Sequence, residues 1–219
     1  MENLIQTLAI YALPVVFAIT LHEAAHGYVA RYFGDPTAWQ QGRISLNPLR
    51  HIDPVGTVIV PVVILALTKL AGSGGFLFGW AKPVPVDFSR LRYPKRDMLW
   101  VAAAGPGANL AMALGWALLL KLASVVPETG YTMPMMEMAR AGIDVNVILM
   151  LLNLIPIPPL DGGRIAVSLL PVAAAVRYAR LERFGFFILL ALLFSGLLDV
   201  ILYPMIRLSV GVIRTLFSL

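Results

Sequence analysis

The sequence predicts an all-α polytopic membrane protein, a bundle of about five to six transmembrane helices. Three observations carry that prediction. Of 219 residues, 59% are hydrophobic and 13% charged, against roughly 45–50% and about 25% in a soluble domain. The mean hydropathy is +0.81, and the apolar residues fall in runs of membrane length. The basic residues gather in a few loops between those runs, the pattern that orients helical membrane proteins. The formal charge of +5 then belongs to cytoplasmic loops. No basic patch interleaved with aromatics indicates nucleic acid. The absence of cysteine excludes disulfides, thiolate ligands and a cysteine nucleophile. No linker or repeat divides the chain, so residues 1–219 read as one domain, with a core over 4–168 and C-terminal helices over 184–219.

Leu4 to Phe33 is one long helix, interrupted and kinked by Pro14 and ended by Gly34-Asp35-Pro36. It lacks the basic start of a cleavable signal and reads as a retained membrane helix. Trp39 to Pro54 is polar and turn-rich. Val55 to Leu70 is apolar but short, with Pro61 inside it. The prolines of "FLFGWAKPVPVDFSRLRYPKRD" suggest extended structure rather than helix. Met98 to Val126 is a strong span whose Gly105, Gly107, Ala108 and Ala111 suit close helix packing. Gly142 to Ile155 is a shorter helix that breaks at "IPIPPLDGGR". Phe184 to Leu202 is another span, and Pro204 to Leu219 a short last one.

Loop charge places Arg31, Arg43, Arg50, Lys95, Arg96 and Arg177 on the cytoplasmic side, and Met1 outside. The loop from Pro127 to Glu137 holds two acids and no base. The chain then enters and leaves 55–80 on one side. That region is expected to be a re-entrant or β-like hairpin between the first helix and the "GPGAN" helix, or two crossings with the second irregular. Such backbone is tolerable in a membrane only against protein or water.

The chemistry starts at "HEAAH", His22 to His26. Histidines four apart share one helix face. They can hold one zinc ion, with Glu23 as general base toward the water that the metal activates. Ionisable groups in a membrane helix are costly and mark function. The bland alternative, polar caps at the interface paired with Arg31, does not explain why two histidines and a carboxylate fall together. A catalytic zinc takes three protein ligands and keeps an open position. The third ligand is His51 or a carboxylate. Asp161 in "NLIPIPPLDGGR" is a candidate, at the end of an apolar helix and on the same membrane face. By residue type alone it is equally a turn residue before Gly162 and Gly163, glycines that permit a tight turn. A rhomboid-like serine site is disfavoured because Ala71-Gly72-Ser73-Gly74 lacks the first glycine. A presenilin-like site is disfavoured because Asp161 follows Pro-Leu.

"HEAAH", "AAAGPGANL" and "NLIPIPPLDGGR", in this order, resemble the site-2 protease family of intramembrane metalloproteases, especially small prokaryotic members without added domains. "SLNPLRHIDPVGT" and "FGWAKPVPV" look like that subgroup too. The resemblance covers roughly residues 15 to 168. It implies one Zn2+ held by His22, His26 and Asp161, with Glu23 as general base. It also implies that Asn153 holds substrate or the oxyanion, against the plainer reading that Asn153 caps its helix. Asn109 is implied to be a packing residue beside the site. The implied substrate is a transmembrane protein or peptide in the lipid bilayer, cleaved toward the cytoplasmic face of a prokaryotic inner membrane. A homo-oligomer is compatible. The extended stretch around Phe76 to Val86 is expected to pair with an unwound substrate as an added strand. The rival reading is a non-enzymatic metal transporter or metal-stabilised scaffold.

Overall fold

A computed structural model describes residues 2–60, 63 and 81–219. Most of the hairpin expected over 55–80, Ser73 included, lies outside the described residues. What is described is helical, and no strand occurs among these residues. Residues 81–87 run without regular structure.

The first helix, α1 (Glu2–Tyr32), is continuous through Pro14. Gly34, at φ +111°, turns the chain out of α1 in a left-handed conformation that a side chain rarely tolerates. A single turn, α2 (Thr37–Gln40), and a 3-10 turn at Pro48–His51 follow. Pro54–Ile59 is a π-helical turn capped by the Asp53 carboxylate, which accepts from the N–H groups of Val55 and Gly56. The second long helix, α3 (Pro94–Val125), opens with proline at its first position, where no donor is lost. Next come α4 (Thr132–Leu154), α5 (Asp161–Leu169), α6 (Val172–Ala179), α7 (Glu182–Phe194) and α8 (Leu197–Phe217).

Three described helices are long and apolar enough to cross a bilayer: Ala9–Tyr32 of α1, then α3 and α8. Helix α4 is as long but carries Glu137, Arg140 and Asp144. It begins at Thr132, not Gly142. Pro134 sits in the first turn, where its missing N–H has no helical partner to lose. The C-terminal pair also divides elsewhere than expected. The break falls at Gly196, at φ +72°, and α8 runs straight through Pro204. In a membrane a helix keeps its own hydrogen bonds on either side of a proline, because no water competes for them.

Helices α1, α3 and α4 pack together as the centre. Helix α5 lies on α3, and α8 on α4. The seams are made of small residues: Ala18, Ala24, Ala102, Ala113, Ala117, Ala139 and Ala141 are all buried. Lipid is as apolar as leucine, so helix association depends on close contact rather than on escape from water. The main apolar cluster joins Ala113, Ala117 and Leu120 of α3 to Ile143, Val147 and Leu151 of α4 and to Leu198 and Leu202 of α8.

Gly142 marks the tightest point of the α3–α4 seam. A Cβ there would lie 2.3 Å from the ring of Trp116. Gly142→Ala should therefore cost about 1–3 kcal/mol of stability, visible as a lower Tm of the detergent-solubilised protein. An unchanged Tm would mean that Trp116 moves aside freely.

Candidate metal centre

Three side chains from two helices converge on one buried point. His22 and His26, one turn apart on α1, bring their Nε2 atoms to 3.1 Å of each other. Asp161, in the first turn of α5, places Oδ2 at 3.2 Å from His22 Nε2 and 3.3 Å from His26 Nε2. His22 and Asp161 are buried and His26 nearly so.

The other ring nitrogens fix what these atoms are. His22 Nδ1 lies 2.6 Å from Asn109 Oδ1, and His26 Nδ1 lies 2.7 Å from the backbone carbonyl of Val101. Both partners are acceptors, so both Nδ1 atoms donate. In the neutral rings each Nε2 is then a lone pair. Two such lone pairs and a carboxylate oxygen face one another, and Asp161 Oδ2 is buried without a hydrogen-bond donor. A buried acceptor left in this way costs about 1–3 kcal/mol. A cation at the centre removes the conflict. The donor spacing suits zinc: four tetrahedral ligands about 2.0–2.1 Å from the ion stand about 3.3 Å apart. The room is supplied by α3. A Cβ on Gly105 would fall 2.4 Å from His26 Nε2 and 2.5 Å from His22 Nε2, so any side chain there would push into the donor group.

Glycine also explains how α5 reaches the site. Neither Gly162 nor Gly163 has a positive φ; what these glycines supply is close approach. A Cβ on Gly162 would lie 2.3 Å from the Leu154 carbonyl oxygen, and one on Gly163 would lie 2.3 Å from Pro158 N. Only glycine lets the first turn of α5 sit on the end of α4 and aim Asp161 at the histidines.

Glu23 points to a different partner. Its Oε2 accepts the backbone N–H of Val84 at 2.7 Å. The segment carrying Val84 is pinned along its length. Lys82 N–H donates to the His51 carbonyl at 2.9 Å. The Arg43 guanidinium donates to the carbonyls of Lys82 and Pro83 at 2.9 and 3.3 Å. Asp87 N–H donates to Asp35 Oδ2 at 2.7 Å, and Asp35 is fully buried at the end of α1. The Ser89 hydroxyl and N–H hold the exposed Asp87 carboxyl below its usual range. Residues 81–87 thus form a strap across the glutamate. Arg43 is more than a solvated topology charge, and so is Lys95, whose Nζ donates to the Leu170 carbonyl.

Other candidates sit apart from the metal-type group. His51 is buried, but its Nε2 donates to the Ser45 carbonyl at 2.8 Å. The Asn153 amide donates to the Leu149 carbonyl at 2.9 Å, a bond within its own helix. Asn109 is fully buried behind His22. Asn146 of α4, fully buried, accepts from Asn109 Nδ2 at 3.0 Å and donates to the Gly142 carbonyl at 2.8 Å. Sequence reading passed over Asn146, although a lone amide in the apolar run "VNVILMLL" is a signal of its own.

Membrane-length helices around a buried His–His–carboxylate group define a helical membrane protein with a zinc-type donor set. Residues 128–196 match the model of peptidase family M50, a stretch that contains Asn153 and Asp161. A Bacillus subtilis (strain 168) protein named "Putative zinc metalloprotease YwhC" is 37% identical over 213 residues, 93% of this chain and 89% of that protein. "Putative zinc metalloprotease Rip2" of Mycolicibacterium smegmatis is 30% identical over 185 residues, 84% of this chain and 66% of that protein. Rip2 of Mycobacterium tuberculosis is 30% identical over 151 residues, 66% of this chain and 51% of that protein. The chain belongs to peptidase family M50, the family its motifs resemble. No solved structure matches it.

Val84→Pro removes the one N–H that the strap gives to Glu23. A hydrogen bond to a charged group contributes about 1.5–3 kcal/mol, so cleavage of a transmembrane substrate should fall about 10- to 100-fold. Zinc per chain, measured by metal analysis, should stay at the wild-type level. Unchanged cleavage would mean that the strap does not hold the glutamate during turnover.

Proposed function

We propose that this chain is an intramembrane zinc metalloprotease, a single domain over 1–219 that hydrolyses peptide bonds in or beside the transmembrane segments of other proteins. The observation that carries this reading is the donorless triangle of His22 Nε2, His26 Nε2 and Asp161 Oδ2. Family membership and the relatives' names agree with it.

In this reading His22, His26 and Asp161 hold the zinc. The ion supplies Lewis acidity, polarising a scissile carbonyl and making water acidic near neutral pH. Glu23 takes a proton from the attacking water and delivers it to the leaving amine. The Val84 N–H keeps one of its carboxylate oxygens oriented and leaves the other for the proton transfer. Asn153 serves the oxyanion through the second N–H of its amide, the first donating to the Leu149 carbonyl. A helical substrate hides its scissile bond in its own hydrogen bonds and must unwind, and the strap is the extended backbone against which it would lie.

The topology that accompanies this reading puts Met1 outside and the basic loops in the cytoplasm. Helix α4 is a further span in this reading, in a bundle of about five to six, and most of the hairpin expected over 55–80 lies outside the described residues. Tyr32, Trp39, Tyr93 and Trp100 are exposed around the end of α1 and the start of α3, as in an interfacial aromatic belt. His26 lies six residues before Tyr32, about 9 Å along the helix. The site therefore sits within the membrane but near its cytoplasmic face, in a prokaryotic cell membrane. A homo-oligomer is compatible with this arrangement. Nucleic acid has no place in it.

Metal analysis should find about one zinc per wild-type chain and little in His26→Ala or Asp161→Ala. Glu23→Gln should keep its zinc and lose about 10²- to 10⁴-fold in cleavage, the usual contribution of a general base. A wild-type protein that takes up no zinc would overturn the reading. Zinc flux into vesicles that survives Glu23→Gln would replace it with a transporter.

A further inference from the structure

We propose that Asn146 is a positioning residue for the metal centre, acting through Asn109 to set which nitrogen His22 presents. This rests on the metalloprotease reading and deepens it. The side chain of Asn146 bonds to Asn109 and to the Gly142 carbonyl, one step removed from His22. Its amide lies in the seam between α4 and α3, and its relative exposure is 0%, as is that of Asn109.

The direction of every bond in the chain is forced. A backbone carbonyl can only accept. The Gly142 carbonyl, 2.8 Å away, fixes the donating end of the Asn146 amide, which leaves Asn146 Oδ1 as an acceptor. That oxygen faces Asn109 Nδ2 at 3.0 Å, and the same Nδ2 faces the Ala18 carbonyl at 3.3 Å. Asn109 must then turn Oδ1 toward His22. Its contact with His22 Nδ1, at 2.6 Å, puts the proton on Nδ1 and the lone pair on Nε2. The lone pair that a metal needs is thus specified by a carbonyl of α4, through two amides.

Without Asn146 Oδ1, the NH2 end of the Asn109 amide is held only by its longer bond to the Ala18 carbonyl. A flip that offers this NH2 group to His22 Nδ1 then costs less. His22 in that state carries its proton on Nε2, where a metal would bind. Partners of this kind typically alter metal affinity 10- to 100-fold.

The test is a double-mutant cycle in zinc affinity, read by chelator competition on detergent-purified protein that retains a cooperative thermal transition. Asn146→Ala and Asn109→Ala should each weaken zinc binding 10- to 100-fold, and the double variant should be no weaker than Asn109→Ala alone. Wild-type protein with isotope-labelled histidine, loaded with NMR-active cadmium, supplies a readout that needs no variant to fold. It should show coupling of the ion to His22 Nε2 and a proton on His22 Nδ1. Wild-type affinity in Asn146→Ala, fully additive losses in the cycle, or coupling through Nδ1 would each overturn the inference alone. A wild-type chain that binds neither metal would overturn the metalloprotease reading and this inference with it.

Discussion

Three atoms that can each donate an electron pair, His22 Nε2, His26 Nε2 and Asp161 Oδ2, held 3.1–3.3 Å apart in a buried place, form the constraint on which the rest of this molecule depends. Such a group is unstable by itself. It persists because each donor is fixed from behind: His22 by Asn109, His26 by the Val101 carbonyl, and Asp161 by a helix start that glycine presses onto the end of α4. Every one of these supports crosses a helix seam. The small residues that line the seams are thus part of the site's construction, because a wider seam would lengthen all of the supports at once.

The glutamate is supported by a different device. Its partner is a backbone N–H on a segment with no regular structure, and that segment is held by Arg43, by the His51 carbonyl and by Asp35. Helices give His22, His26 and Asp161 their rigidity. Glu23, the proposed base, receives its orientation from a strap whose own hydrogen bonds are few and specific. The two groups can therefore be perturbed separately.

The sequence made the histidines and the glutamate legible because ionisable residues in an apolar helix are conspicuous. Asp161 became legible as a candidate ligand through its motif, since its residue type also suits a turn. The supports were harder to see. Val84 acts through its backbone, which has no residue signature, and Arg43 looked like any loop charge. Asn146 was visible as a lone polar residue, but its partner lies in another helix, 37 positions away. Among the helices, the long apolar runs were legible and their ends were not. Pro204 read as the start of a separate helix, yet it falls inside α8. The real break, at Gly196, depends on a backbone angle.

The bond between Asp35 Oδ2 and Asp87 N–H joins positions 52 apart. Its acceptor is a buried side chain at the end of α1, and its donor is the last residue of the strap before the turn that leads to α3. Between these points the chain makes an excursion whose two feet are bolted to the same spot. Loop-closure cost grows only with the logarithm of length, about 0.6 kcal/mol per doubling. Added length within the excursion therefore costs little in closure entropy, provided that the feet, the strap and the Arg43 and His51 contacts that pin it remain. The two feet thus separate the length of the chain between them from the geometry of the donor group.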